Sequence, residues 1–433
     1  MLATLRNRNF ALLWSGGLIS LMGDWVLNVG LPIYVFLLTR SVLILSITVL
    51  LNALPNILLG SVAGVFVDRW DRKRTVIITN LLLGLSLLPL LLVRAADRVW
   101  IVYIVAFVGA SIEQFFMPAQ SALLPTLVAE AHLVQANSLN SLSSNFARLV
   151  GPAIGGIVAA IFGLTGIVLA DMASFLIAGL LITFVKIAAT SNVQAETSPP
   201  DNEIITKASF WRELVDGLRV IRSERTLAVI LAMYSILMVG EGVFAVLYPV
   251  FVNRILHGGA AQIGQLMSAQ AIGGLLGGLL IGWLGRRVMS RWTIGLFGMA
   301  FGLTDLAIFN TPAFFPFFWL TAGLFVTAGL VGIAPMTGAQ SLLQAKSPEA
   351  YRGRVFGVLG MLMGLCALIG TIAAGFLTDH LGLITVLNVQ AAGYVCAGLL
   401  ALSLLPRERK TTSGRASKFD HVTQQSIAEE SAG

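Results

Sequence analysis

Long apolar runs are the feature that most constrains how this 433-residue chain can fold. A helix needs about 20 apolar residues to cross the hydrocarbon core of a bilayer. Only 11% of the residues are charged, whereas about 25% is usual for a soluble domain. The sequence therefore predicts an all-α membrane protein with twelve transmembrane helices. We expect them at residues 10–38, 42–66, 74–94, 99–120, 138–162, 165–187, 227–253, 262–284, 292–310, 313–338, 353–378 and 382–405.

The Lys and Arg residues orient these spans. Of the 28, 23 fall in connections or termini on one side of the bilayer and four on the other, while Arg148 lies within a span. Connections rich in Lys and Arg stay in the cytoplasm. We therefore expect a multi-pass protein of a cell (inner) membrane with both termini cytoplasmic. The net charge of +7 then reflects topology and does not indicate a nucleic-acid partner.

The spans group into two bundles with a polar connection between them. We expect an N-terminal six-helix bundle at 1–187, a cytoplasmic linker at 188–226, a C-terminal six-helix bundle at 227–405, and a disordered tail at 406–433. Within the linker, Phe210, Leu214, Leu218 and Ile221 fall on one helical face. This spacing predicts an amphipathic helix that lies on the membrane surface.

The two bundles repeat each other in sequence. Shifting the chain by 217 residues places Gly23-Asp24 on Gly240-Glu241 and Pro32 on Pro249, and a shift of 219 places Gly151 on Gly370. Because each half has an even number of helices, both copies keep the same orientation. We predict two six-helix parallel repeats around a central cavity.

A charged segment connects the second and third spans. Gly64 allows close approach of helices, and the acidic and basic residues after it can form an ion-pair cluster. The segment resembles the loop signature of the major facilitator superfamily. That resemblance implies that Asp68 latches onto a neighbouring helix in the outward-facing state; the alternative is simple positive-inside anchoring. The cytoplasmic gate motif comprises Gly64, Asp68, Arg69, Asp71, Arg72 and Lys73.

The fifth span contains Gly151, Pro152, Gly155 and Gly156. A proline bends a helix by removing one backbone hydrogen bond, and the glycines allow another helix to pack closely. The pattern resembles a signature of antiporters in the same superfamily and implies that this chain is an antiporter. The alternative is a packing kink without bearing on the direction of transport.

Further segments resemble the drug-exporter branch of this superfamily, which includes macrolide efflux proteins and a siderophore exporter. They are Phe10-Ala-Leu-Leu-Trp14, Asp171-Met-Ala-Ser-Phe175 and Tyr351-Arg-Gly-Arg354. The resemblance covers residues 5 to about 405. It implies export of hydrophobic or amphiphilic small molecules.

Ionisable residues inside spans are the candidates for coupling. A carboxylate at the bilayer centre costs roughly 2.5–3.5 kcal/mol on insertion scales, so such residues usually line a cavity or form a pair. Asp24 and Glu241 are mid-span and equivalent in the repeat, and we expect both to bind protons, with Arg148 and Glu113 as partners. A fixed Arg148–Glu113 ion pair is the alternative. Asp171 and Asp305 lie nearer the outer ends, which favours a solvated or capping role.

Aromatic and Met side chains in the cavity-forming spans predict a soft, apolar substrate cavity, although packing alone would also explain them. The candidates are Trp25, Tyr34, Phe115, Phe116, Met117, Tyr234, Met238, Phe244, Tyr248 and Met336.

Motifs for enzymatic chemistry are missing from the sequence. It has no phosphate-binding loop or HExxH pattern, and its two cysteines do not form a CxxC pair. We expect no enzyme activity, metal or cofactor. Together with the mid-span carboxyls, the resemblance implies a monomeric proton antiporter whose partners are a small amphiphilic substrate, protons and the lipid bilayer. An uptake symporter, an uncoupled facilitator or lipid flippase, and sodium in place of protons stay open.

Overall fold

A computed structural model describes residues 6–67, 69–186 and 207–406. Asp68, most of the predicted linker and the tail after Pro406 lie outside the described residues. The described part of the chain is helical and contains no β-strand. Its α-helices are α1 Arg8–Thr39, α2 Val42–Val67, α3 Arg72–Ser86, α4 Trp100–Leu127, α5 Leu133–Thr183, α6 Lys207–Ser223, α7 Arg225–Arg254, α8 Ala260–Leu284, α9 Arg291–Phe314, α10 Phe318–Lys346, α11 Arg352–Leu381 and α12 Leu383–Leu404. Short 3₁₀ helices occur at Leu88–Leu92, Ala96–Arg98, Glu130–His132, Gly285–Met289 and Glu349–Tyr351.

The fifth and sixth predicted spans form one long helix with a break. Among the described residues, eleven helices are long and apolar enough to cross a membrane, and α5 with its 51 residues is one of them. At Gly163 the backbone has φ 58° and ψ −152°, a conformation that favours glycine. The break divides α5 into α5a (133–162) and α5b (164–183), so the described chain has the twelve predicted spans.

Successive spans run in opposite directions, which gives the bundle two ends. We call the end where α1 begins and α12 finishes the basic end, because most Lys and Arg residues lie there, and the opposite one the far end. At the basic end, the Asn7 side chain accepts hydrogen bonds from the N–H groups of Asn9 and Phe10 and so caps α1. At the far end, α1 ends at Thr39 and is followed by its C-cap residue Arg40, which has φ 53°.

The two bundles meet through backbone contacts of α5a with α8. A Cβ added at Gly156 would lie 2.5 Å from the carbonyl oxygen of Ala260, and one added at Gly264 would lie 2.2 Å from the carbonyl oxygen of Pro152. We call this contact between α5a and α8 the seam. It lies toward the far end, because α5a finishes there and α8 begins there.

Other contacts between the bundles also lie at the far end. Gly375 of α11 packs against Ser46 of α2, and the Arg40 guanidinium donates to the side-chain oxygen of Asn253 at 3.1 Å. Buried apolar residues of α1, α2 and α7 form one core cluster across the same region. These contacts close the far end of the molecule.

The linker helix α6 packs on the basic end of α11. Its Gly217 lies against the Arg354 backbone and the Val358 side chain, and Ile221 is buried. The Arg354 guanidinium donates to the carboxylate of Asp216 at 3.1 Å. On the face predicted to touch the membrane, Leu218 is exposed, whereas the side chains of residues 207–214 are not described. The helix is therefore fastened to the second bundle.

Candidate transport cavity

A cavity of about 580 Å³ lies within the first bundle. Among the described residues, Ala245 of α7 is the one lining residue from the second bundle. Lining residues near the basic end, such as Met117 and Asn140, are exposed, whereas Leu31 and Thr48 toward the far end are buried. The cavity therefore opens toward the basic end.

The cavity wall combines apolar and polar side chains. The large apolar and aromatic ones include Trp14, Phe116, Met117 and Phe175. The neutral polar ones are Ser20, Asn28, Thr48, Asn52, Ser86, Gln120, Ser121, Asn137, Asn140, Ser143 and Ser144. Such a wall suits an amphiphilic ligand, whose polar groups find hydrogen-bond partners while its apolar part is buried.

Three carboxyl groups lie in this wall. Asp24 of α1, Glu113 of α4 and Asp171 of α5b all line the cavity, and Asp24 is within electrostatic range of the other two. No Lys, Arg or His side chain lines the cavity in the described part of the chain. The cavity therefore carries uncompensated acidic groups, which attract a cation or bind protons.

Asp171 differs from the prediction that it is solvated or capping. Its exposed fraction is 0%, because α5b packs tightly on α1 at this height. A Cβ added at Gly23 would lie 2.6 Å from Asp171 Oδ1 and 2.0 Å from Ser174 Oγ. The prediction was wrong because depth along a span says nothing about a neighbouring helix.

The second bundle holds a comparable acidic cluster outside the cavity. Asp305 of α9 is 5% exposed and lies within the helix, so the prediction of a solvated or capping role was wrong here as well. Glu241 of α7 lies within electrostatic range of Asp305 and Tyr394, has an exposed side chain and is not among the lining residues. Gly240 packs on the Tyr394 ring as Gly23 packs on Ser174, so both equivalent glycines contact the last helix of their bundle.

Arg148 does not pair with Glu113 in this conformation. Within the described residues, ion pairs closer than 4.0 Å join Asp216 to Arg219 and to Arg354. Arg148 is exposed and does not line the cavity. The fixed Arg148–Glu113 pair is therefore absent from the described conformer.

The described residues of the gate motif connect α3 to its neighbours. Asp71 caps α3 by accepting from the Arg74 N–H at 2.7 Å. Arg72 donates to the Ala122 carbonyl of α4, and Lys73 donates to carbonyls of α5b and the segment that follows it. Arg69 is exposed. Gly64 lies in the last turn of α2, and Asp68 is outside the described residues.

The glycines of the antiporter motif face two different helices. Gly151 packs on the Trp25 side chain, and Gly155 packs on the backbone of Trp25 and Val26. Gly156 and the Pro152 carbonyl face α8 at the seam. The motif therefore brings α5a close to α1 of its own bundle and to α8 of the other.

Two of the predicted substrate-contact residues, Phe116 and Met117, line the cavity. In the first bundle, Trp25 packs on Gly151, Phe115 stacks on Trp70, and the Tyr34 hydroxyl donates to the Val93 carbonyl.

The predicted residues of the second bundle are absent from the described cavity lining. The Tyr234 hydroxyl donates to the Met336 carbonyl at 3.0 Å. Tyr248 is buried, stacks on Phe244 and donates to the Ile263 carbonyl at 2.7 Å. Met238 is half-buried.

Sequence reasoning missed most of the polar lining residues. Ser20, Asp24 and Asn28 recur every four residues on α1, and Asn137, Asn140 and Ser144 recur every three or four on α5a. This spacing places each set on one helical face. A polar face within an apolar span is the signal that could have identified the cavity wall.

The helical repeat, the seam and the cavity define a membrane transporter of the major facilitator superfamily. The chain belongs to its transmembrane secretion effector family, whose profile matches residues 1–432. It is similar to macrolide efflux protein A of Streptococcus pyogenes, with 28% identity over 86% of this chain and 90% of that protein. It is also similar to the multidrug efflux pump Tap of Mycolicibacterium fortuitum, with 30% identity over 90% of this chain and 93% of that protein.

Solved structures share the fold. A bacterial homologue of the iron transporter ferroportin, in an inward-facing state, superposes with a TM-score of 0.73 and 17% identity, covering 92% of this chain and 99% of that chain. The nucleoside transporter NupG superposes with a TM-score of 0.70 and 14% identity, covering 92% of this chain and 100% of that chain.

Proposed function

We propose that this transporter exports amphiphilic small molecules of the drug or macrolide type out of the cell. The observation that carries the proposal is the cavity of about 580 Å³, which falls within the 300–1,000 Å³ usual for drug-sized ligands. The macrolide and multidrug efflux proteins among its relatives support the same substrate class.

The acidic wall narrows this class to amphiphiles that carry a positive charge. Asp24, Glu113 and the buried Asp171 line the cavity, and no basic side chain lines it in the described residues. An ammonium group placed among them gains Coulomb energy that a neutral molecule lacks, while Trp14, Phe116 and Met117 contact its apolar part.

Direction follows from orientation and from the conformer. We assign the basic end to the cytoplasm because Lys and Arg accumulate on the cytoplasmic side. The cavity, open at that end, then receives substrate from the cytoplasm of a bacterial-type inner membrane. Opening the seam while the basic end closes would release it outside, with Asp68 latching the closed basic end. The conformational cycle is alternating access.

Proton antiport supplies the driving force in this proposal. Protonation of Asp24 neutralises a cavity carboxylate, weakens the binding of a cation and allows the empty transporter to return. Glu241 is the second coupling candidate because it is equivalent in the repeat, and Glu113 and Arg148 are partners whose contacts change with state. The resemblance of Gly151, Pro152, Gly155 and Gly156 to the antiporter signature supports this direction. The protein would act as a monomer, since one chain supplies the cavity.

Transport by purified protein in liposomes tests the proposal. With an imposed pH gradient and an internal pH dye, a cationic macrolide should trigger proton movement that is lost in Asp24→Asn. Glu241→Gln tests the other coupling candidate, which lies outside the described cavity lining. Loss of proton movement in one of the two variants alone would identify the carboxyl that couples.

The same assay distinguishes the alternatives. Substrate flux that persists after the proton gradient collapses would identify an uncoupled facilitator or flippase, and protons and substrate moving in the same direction would identify a symporter. Substrate flux that depends on a Na⁺ gradient would identify sodium as the coupling ion in place of protons. Absence of proton movement and of substrate flux with every macrolide, cationic dye and siderophore-like compound would contradict the proposed substrate class.

A further inference from the structure

Asp171 is a buried carboxyl group with one oxygen that makes no hydrogen bond. The Ser174 hydroxyl lies 3.2 Å from its Oδ1 and 2.7 Å from its backbone carbonyl oxygen. Its Oδ2 is buried without a hydrogen-bond partner. An ionised carboxylate removed from water costs several kcal/mol unless it is paired. This oxygen therefore requires a proton or a cation.

The groups that face Asp171 are themselves acidic. Gly23 brings α1 against Asp171, and the next residue, Asp24, is its electrostatic neighbour together with Glu113 of α4. All three carboxyls line the same cavity. Carboxyl groups that line one cavity resist simultaneous ionisation, because the negative charge of each disfavours the ionised form of the others.

Basic groups on the elements packed around Asp171 are directed elsewhere. Lys73 of α3 is at the basic end, where it donates to the carbonyls of Thr183 and Val185. Arg148 of α5a is exposed and does not line the cavity. Within the described residues, therefore, the carboxyl of Asp171 has acidic neighbours and no basic one.

We propose that Asp171 and Asp24 form a carboxyl pair that holds one proton, and that this pair is the coupling site of the transporter. The second part rests on the proposed export function. With the cavity open at the basic end, an incoming cation binds the carboxylates. The O–H bond of the pair breaks, and the proton leaves to the water of the cavity. With the cavity open at the far end, a proton from water replaces the departing cation.

Infrared difference spectroscopy of the purified protein tests the pair without any substrate. We would titrate the wild type, Asp24→Asn, Asp171→Asn and the double variant, and measure the carbonyl stretch of protonated carboxylic acids. One shared proton predicts that the double variant loses the amplitude of a single protonated carboxyl, and that Asp24→Asn, which leaves the proton on the buried Asp171, loses less than the double variant. Loss of the amplitude of two protonated carboxyls in the double variant would overturn the proposal.

Asp305→Asn is the matched control. Asp305 is buried to a similar degree in the second bundle but is absent from the cavity lining. When Asp305→Asn and Asp171→Asn are combined in one protein, the amplitude lost should be the sum of the losses in the two single variants. If Asp171→Asn does not give a folded, monodisperse protein, Asp171→Glu and Ser174→Ala replace it. Both should shift the frequency of the shared band, and an unmoved band in both would contradict the pair.

Proton release on ligand binding tests the coupling. Tetraphenylphosphonium is a permanent cation that brings no proton of its own, and its binding to the wild type should release about one proton per molecule from a coupled pair. Asp171→Asn should bind the probe and release none, whereas Asp305→Asn should release as much as the wild type. Equal release from Asp171→Asn would overturn the coupling role. If the infrared data support one shared proton but tetraphenylphosphonium does not bind, the carboxyl pair is retained and the proposed substrate class is refuted.

Discussion

Replacing Gly264 by alanine perturbs the seam at a single point. The added Cβ would lie 2.2 Å from the Pro152 carbonyl oxygen and 2.9 Å from its carbonyl carbon, whereas real Cβ atoms stay beyond 3.0 Å. Both opposing atoms belong to the backbone, so no side chain can rotate away. The helices α8 and α5a must therefore separate by about 0.8 Å.

Conformers with a closed seam bear the free-energy cost of this separation. Overpacking of a tight interface costs about 1–3 kcal/mol, and a conformer with the seam already open avoids it. A difference of about 1–3 kcal/mol changes a population ratio roughly 5- to 150-fold. We expect Gly264→Ala to shift the transporter by this factor toward conformers that are open at the far end.

Spin-label distances across the far end measure the shift. Exposed Asp97 of the first bundle and Phe317 of the second can each be replaced by a labelled cysteine after Cys366 and Cys396 have been removed. Double electron–electron resonance should then reveal a longer-distance population in Gly264→Ala. Gly278→Ala is the control, because it lies on the same helix and an added Cβ there has nothing within 4 Å. Identical distance distributions for the two variants would refute the account of the seam.

Three further changes have defined expectations. Asp216→Asn removes the partly exposed ion pair with Arg354, which is worth at most about 1 kcal/mol. Hydrogen exchange of α6 should accelerate without a change in the melting temperature. Unchanged exchange would contradict the role of this ion pair in holding α6 on α11. Tyr234→Phe removes the hydrogen bond to the Met336 carbonyl and should cost about 0.5–1.5 kcal/mol; scanning fluorimetry that finds no lower melting temperature would contradict this. Glu113→Gln should weaken equilibrium binding of a cationic amphiphile by about 1–2 kcal/mol, the Coulomb energy of charges roughly 8–12 Å apart at an effective dielectric constant near 20. Equilibrium binding of a neutral amphiphile of the same size should be unaffected.

The fold was predictable because span length and hydropathy are local properties of the chain. Each predicted span corresponds to a helix or to one part of α5, and the ends agree within several residues. The main difference is at Gly163, where two spans join through one left-handed residue instead of a loop. The sequence does contain that glycine, but its backbone angles depend on how α5a and α5b pack.

The cavity was harder to predict because in a membrane both the packed and the lipid-facing sides of a helix are apolar. Tyr248 could equally have faced the cavity, yet it is buried against Phe244 and donates to a backbone carbonyl. Asp171 could equally have been solvated, yet α1 covers it. Hydropathy distinguishes neither case, whereas the four-residue spacing of Asp24 and Asn28 marks the face that lines the cavity.

The unequal share of the two bundles in the cavity wall has a consequence for chimeric proteins. Nearly all described lining residues precede the linker, and Ala245 is the exception. Exchanging residues 1–186 between this chain and a related exporter should therefore carry drug preference with the exchanged segment. The second bundle could diversify separately, as long as its glycines continue to fit the partner backbone.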